Sequence, residues 1–93
     1  MSVVGTGVVG PGHAEFFDVV LESGHSYTVD VEPTDPNVDF DLKVYDQNGN
    51  LVTEDVTTAP NAYCLVTPRW TGAFRFMVES AQGTAGYTIE VRE

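Results

Sequence analysis

Basic residues are scarce in this 93-residue chain. It has four Lys and Arg against 14 Asp and Glu, which gives a formal net charge of −10 at pH 7. Nucleic-acid binding requires clustered Lys and Arg, and binding to anionic lipid surfaces requires polybasic segments. The composition therefore argues against both partners. It leaves cations, basic partners or plain solubility as uses of the acidic surface.

Cysteine and histidine are almost absent. Cys64 is the only cysteine, so no internal disulfide can form. Its apolar neighbours favour a small buried hydrophobe over a reactive thiol. His13 and His25 are far apart, with neither a nucleophile-elbow motif nor zinc-ligand spacing around them. We therefore expect no catalytic residues and a non-enzymatic protein.

Long apolar runs and helical periodicity are also missing. No stretch approaches the length of a membrane span, so we expect no membrane insertion. The first residues lack the basic region and the long apolar core of a secretory signal. We therefore expect either a complete intracellular, viral or otherwise non-classically delivered protein, or a domain of a larger secreted protein. The length is that of one domain.

Short segments of alternating polarity are what the chain does contain. The best of them, Val38 to Leu51, places Phe40, Leu42 and Val44 on one face and acidic residues on the other. It then turns at Asp46-Gln47-Asn48-Gly49. An Asn-Gly turn that follows an alternating segment is a strong hairpin signal.

Similar segments recur along the chain and predict an all-β fold. They cover residues 15–21, 25–32, 38–46, 50–54, 62–67, 74–78 and 87–91. Seven or eight such strands without crossover helices predict a two-sheet antiparallel β-sandwich with jelly-roll-like or Greek-key connections. Residues 15–93 form the sandwich domain in this interpretation, and residues 1–14 form a Gly/Val-rich arm or an edge strand. Six aromatic residues fall at inward positions and are expected in the core: Phe17, Tyr27, Phe40, Phe74, Phe76 and Tyr87.

Four motifs occur in an order that matches a known family. They are the strand–Gly-turn–strand segment Phe17 to Val29, the acidic hairpin Asp39 to Leu51, the Gly-aromatic strand Thr71 to Val78 and the closing strand Gly86 to Val91. Over residues 15–91 the chain resembles the bacterial pre-peptidase C-terminal domain, a β-sandwich found behind secreted peptidases. The resemblance implies a non-catalytic accessory module, extracellular or at the cell surface, for a protein partner or a polymeric substrate. Some related collagenase domains bind collagen and calcium.

Oxygen-bearing side chains alternate in the loop that enters the acidic strand. They are Asp35, Asn37, Asp39 and Asp41. Calcium takes six to eight oxygen ligands, so this loop is a candidate calcium site, with Glu15 or Asp18 approaching from a neighbouring strand. The alternative is a solvated acidic strand face that follows a turn-forming Asp-Pro.

Three further residues are candidates for binding a partner. Trp70 follows Arg69 just before the Thr71-Gly72 turn, and it is either a core plug at one end of the sandwich or an exposed anchor. Tyr45 occupies an outward position at the end of its predicted strand.

The N-terminal segment Val3 to Val9 suggests a structural alternative. Two valine pairs flank Gly5-Thr6-Gly7, and such a segment pairs either with its own sheet edge or with that of a neighbour. In the second case the protein self-associates through Val3 to Val9. It is then a structural subunit of a capsid, a pilus or a surface array.

Overall fold

The computed structural model describes residues 2–59 and 61–93, with side chains from residue 4 onward. It contains eight strands: β1 Ser2–Val9, β2 Ala14–Leu21, β3 Tyr27–Pro33, β4 Asp39–Tyr45, β5 Leu51–Asp55, β6 Ala62–Val66, β7 Gly72–Gln82 and β8 Ala85–Arg92. Within the described ranges, no helix has the length and apolarity needed to cross a membrane.

The strands form two antiparallel sheets of four. The first sheet has the order β1-β8-β3-β6 and the second has the order β2-β7-β4-β5. β4 pairs with β5, β3 with β6, β2 with β7 and β1 with β8. The chain is therefore one long two-stranded ribbon, closed by the β4–β5 turn and rolled into two layers, which is the arrangement of a jelly roll. The predicted sandwich is confirmed.

The core lies between the two layers and follows the predicted alternation. Phe40, Leu42 and Val44 on β4 and Phe76 on β7 are fully buried. Tyr27, Phe74 and Tyr87 are buried as well, and Phe17 packs against the core while partly exposed. The phase predicted for these strands is therefore correct.

Residues 2–9 form an edge strand of the first sheet. Val9 lies opposite Ala85 and Ser2 lies opposite Val91 on β8. Gly5 and Gly7 face inward where space is short: a Cβ on Gly5 would lie 2.5 Å from Phe17, and one on Gly7 would lie 2.7 Å from the Tyr87 hydroxyl. The two glycines are needed so that this strand can close over the core.

Most strand ends differ from the predicted ones by a few residues, with β7 the most extended, at Gly72–Gln82 in place of 74–78. The end of β3 has a clear physical reason. We expected the loop after β3 to begin at Pro33, but Pro33 is the last residue of β3 and lies opposite Tyr87. The pairing of β3 with β6 has already ended at Val31. Proline is tolerated here because its missing N–H has no partner strand on that side.

Candidate functional site

The turn between β4 and β5 is organised by Asp46. Its Oδ1 accepts the backbone N–H groups of Asn48 and Asn50, both at 2.9 Å, and its Oδ2 accepts the Asn50 side-chain amide at 3.1 Å. These hydrogen bonds, led by that from the Asn50 backbone, hold the pKa of Asp46 below its usual range. Gly49 has a φ of 84°, which favours glycine. The Asp-Gln-Asn-Gly segment thus has the structural role that its sequence predicts.

Two clefts lie beside this turn, at what we call the hairpin end of the sandwich. One of about 420 Å³ is lined by Tyr45, Gln47 and Arg75 among others. The other, of about 310 Å³, is lined by Leu51, Val52, Pro68, Arg69 and Trp70; we call it the Trp70 cleft. Asp46 and Phe74 line both clefts. The structure therefore brings together the three residues predicted for binding, namely Tyr45, Arg69 and Trp70.

Trp70 combines the two roles that the sequence left open. Its indole stacks on Phe74, with ring centroids 6.2 Å apart and an interplanar angle of 25°. Phe74 is buried, whereas Trp70 remains 39% exposed. A Cβ on Gly72 would lie 3.2 Å from the indole, so glycine permits this close approach. The exposed indole is therefore held in a fixed orientation by the core beneath it.

Arg69 differs from the other basic residues in having no ionic partner. Ion pairs join Arg75 to Asp18, Lys43 to Glu79 and Arg92 to Asp30. Among the residues that the structure describes, Arg69 is the basic side chain without a carboxylate in salt-bridge range. Its guanidinium is therefore available to a ligand in the Trp70 cleft.

Exposed apolar side chains are concentrated on the same part of the chain. Nine large ones are exposed in the described residues, and six of them lie between residues 51 and 70: Leu51, Val52, Val56, Tyr63, Leu65 and Trp70. They belong to the edge strands β5 and β6, which contact each other, and to the segments that follow them. Grouped apolar exposure is typical of interaction sites.

The residues predicted for calcium are not all gathered. Asp35 accepts the backbone N–H of Asn37 at 2.8 Å and so stabilises its own loop, while Asp39 and Asp41 share the outer face of β4. In the described part of the chain, no three carboxylate, histidine or cysteine side chains are placed to hold a metal ion.

The two carboxylates expected to approach from a neighbouring strand do not do so. Glu15 faces inward and accepts the hydroxyl of Tyr87. Asp18 is held by Arg75 through two hydrogen bonds of 2.8 and 3.1 Å. Both contacts depend on strand register, which the sequence does not reveal.

Asp39 and Asp41 nevertheless sit in an unusual environment. The Oδ1 atom of each is buried without a hydrogen-bond partner in the described structure. Desolvation, followed by repulsion from Asp39 and Glu79, raises the pKa of Asp41. Glu79 lies directly opposite Asp41 on β7. A cation placed here would relieve the repulsion.

Cys64 is a core residue, as its sequence environment predicts. It is 3% exposed, and desolvation raises the pKa of its thiol to about 11. At neutral pH the group is therefore a neutral thiol packed in the core.

Sequence reasoning missed part of the hairpin end. Leu51 and Val52 form a wall of the Trp70 cleft, and Arg75 lies 5.7 Å from the exposed Phe16 ring. The sequence feature that could have indicated this surface is the adjacent apolar pair Leu51-Val52 after the Asn-Gly turn. Side chains alternate between the two faces of a strand, so at least one residue of such a pair must face away from the core.

No protein-family model matches this chain, and a search of curated proteins finds no match. The fold and the side-chain geometry are therefore the observations from which function is inferred.

Proposed function

We propose that this chain is a non-enzymatic accessory module that binds a protein partner or polymeric substrate at its hairpin end, with Trp70 as the anchor. The observation that supports this is an indole backed by Phe74, 39% exposed, and set in a cleft of mixed polar and apolar lining beside Arg69. Tryptophan and arginine are the residues that most often dominate binding energy at interfaces. A cleft of this volume lies at the lower end of the range of ligand sites.

The ligand that suits this surface is an extended chain with rigid apolar side groups. The exposed side chains of Leu51, Val52 and Trp70 offer shallow apolar contacts, and Arg69 offers hydrogen bonds to main-chain carbonyls. Proline-rich helices dock on aromatic surfaces in this manner. The resemblance to pre-peptidase C-terminal domains, with their collagen-binding relatives, adds support for a fibrous protein as the substrate.

Trp70 provides its own probe because it is the only tryptophan. We expect a triple-helical Gly-Pro-Pro repeat peptide to change the tryptophan emission in a saturable titration, and immobilised collagen to retain the protein. Trp70→Ala should abolish retention. Val20→Ala is the control, because Val20 is an exposed apolar residue on β2, outside both the Trp70 cleft and the exposed group between residues 51 and 70. Equal retention of wild type and Trp70→Ala would contradict the proposal.

We also propose that calcium assists this module through Asp39 and Asp41. The support is the pair of buried Oδ1 atoms without hydrogen-bond partners. Millimolar calcium should raise the Tm of chelator-treated protein, because a ligand of the native state stabilises it by mass action. Asp39→Asn should remove the rise, while Glu32→Gln should keep it. Equal small shifts with calcium and magnesium would instead indicate general screening of an acidic surface.

A further inference from the structure

The four edge strands differ in how they are protected from pairing with another chain. β2 carries Glu15 and Asp18, and β5 carries Glu54 and Asp55. On β6, a short strand, the outward N–H of Tyr63 is already bound to Asp55 Oδ2 at 2.9 Å. Charged residues, short length and capped edge groups are devices that prevent strand addition. The edge strands β2, β5 and β6 are therefore protected from pairing with another chain.

The edge strand β1 has none of these protections. It spans eight residues and contains no ionisable side chain and no proline. Its inner side pairs with β8, and no described strand pairs with its outer side. A register shift between Val3 and Gly5 is its only irregularity, so residues 5–9 form a regular edge. Thr6 is exposed, and Val8 is 65% exposed on the outer face.

The sequence of this edge is a palindrome. Residues 3–9 read VVGTGVV, which is symmetric about Thr6. An antiparallel pair of identical strands places each residue opposite its mirror position. Centred on Thr6, such a pair sets Thr6 against Thr6 and Gly5 against Gly7. Beyond Gly5 the side chains do not meet, because Val4 packs against the core at the register shift while Val8 points outward. Threonine cross-strand pairs are favourable, and a two-fold contact is self-complementary.

We propose that β1 pairs antiparallel with β1 of a second copy of this chain, across a two-fold axis at Thr6. The first sheets of the two copies then join into one continuous eight-stranded sheet. Within the joined sheet, the acidic strand nearest the axis is β8, which carries Glu90. Glu15 reaches Gly7 from β2 in the other sheet, where it accepts the hydroxyl of Tyr87. The two β8 strands would lie about 14 Å apart, three strand spacings. This exceeds the Debye length of about 8 Å at physiological salt. The surface that meets its copy is thus the uncharged edge of a strongly acidic molecule.

Sedimentation and light scattering of the full chain test the interface. We expect a particle of twice the 10.1 kDa monomer mass, favoured by added salt. Thr6→Lys should yield a folded monomer, because it sets two like charges opposite each other at the axis. Thr88→Lys is the matched control, since Thr88 lies opposite Thr6 on the interior strand β8, and it should remain dimeric. A wild-type monomer up to millimolar concentration, or a Thr6→Lys dimer, would overturn the proposal.

Cysteine cross-linking tests the register independently of stability. Across the axis the Thr6 Cα atoms would be about 4.5–5.5 Å apart, within reach of a disulfide. Thr6→Cys should therefore form a covalent dimer on mild oxidation. The Val8 positions of the two copies would be about 14 Å apart, so Val8→Cys should remain uncross-linked. Equal cross-linking of both variants would refute an axis at Thr6. Neither substitution alters the Trp70 cleft, so this outcome is separate from that of the ligand titrations.

Discussion

Individual carboxylates in this protein have opposite effects on stability because their surroundings differ. Asp46 accepts hydrogen bonds from the turn that it organises, and Asp18 is bound by Arg75, so the pKa of each is lowered. Such groups favour the folded state above their usual pKa, and this contribution is lost as pH falls through the lowered value. Asp41 behaves in the reverse way because desolvation raises its pKa.

The upward shift in the pKa of Asp41 leads to a testable pH dependence of stability. In the interval between its ordinary pKa of 3.8 and its raised value, the native state binds more protons than the unfolded state. Stability contributed by this group is therefore present at low pH and lost as pH rises through the raised pKa. We expect Asp41→Asn to increase the Tm at pH 7 in chelator, with the gain shrinking toward pH 3.

Thermal melts between pH 3 and pH 8 measure this effect. Glu32→Gln controls for the general relief of negative charge, because Glu32 is exposed and the change in charge is the same. A gain from Asp41→Asn no larger than that from Glu32→Gln would mean that local desolvation is unimportant.

At the scale of the strand, the alternation on β4 and β7 makes a clear prediction about the core. Leu42 and Phe76 are fully buried, so Leu42→Ala and Phe76→Ala should each lower the free energy of unfolding by about 2–5 kcal/mol. Phe16→Ala removes a ring that is 54% exposed on the opposite face of β2. In urea denaturation, Phe16→Ala should lower the free energy of unfolding much less than Leu42→Ala or Phe76→Ala. Comparable losses for Phe16 and Phe76 would contradict the assignment of the faces.

The edge strand β1 gives a second prediction at this scale. Gly7→Ala would bring a methyl group against the Tyr87 hydroxyl and Glu15, so we expect a loss of about 1–3 kcal/mol, as in overpacked cores. Thr58→Ala, at an exposed loop position outside β1, should change the stability by less than about 0.5 kcal/mol. If urea denaturation gives the two variants equal stability, β1 does not pack closely over the core.

The sequence predicts well which residues of each strand face the core and which face outward. The period of two on β4 identifies both faces from the residues of that strand alone, and the Asn48-Gly49 turn follows from backbone requirements. Register is different, because it depends on which strands meet. That Asp18 lies opposite Arg75, or Asp41 opposite Glu79, follows only from the folded topology. The Trp70 cleft also could not be predicted from the sequence, because its walls come from three separate segments: β5, β7 and the loop after β6.

For the whole molecule, the nested ribbon means that pairings grow steadily more distant in sequence. The β4–β5 hairpin is local, whereas β1 and β8 come from the two ends of the chain. Folds dominated by distant pairings fold slowly, because the entropy of loop closure is lost before the stabilising contacts between distant strands can form. The local hairpin is therefore the natural place for pairing to start, and the terminal strands close the sheet last.

The pairing of Ser2 with Val91 also determines how this domain responds to force. The two ends of the chain leave from the same corner, as adjacent antiparallel strands. Tension applied between them peels β1 from β8 one hydrogen bond at a time, in the manner of a zipper, instead of loading all the bonds together. A domain attached through both ends would open at low force. The same domain attached through one end would carry no such load.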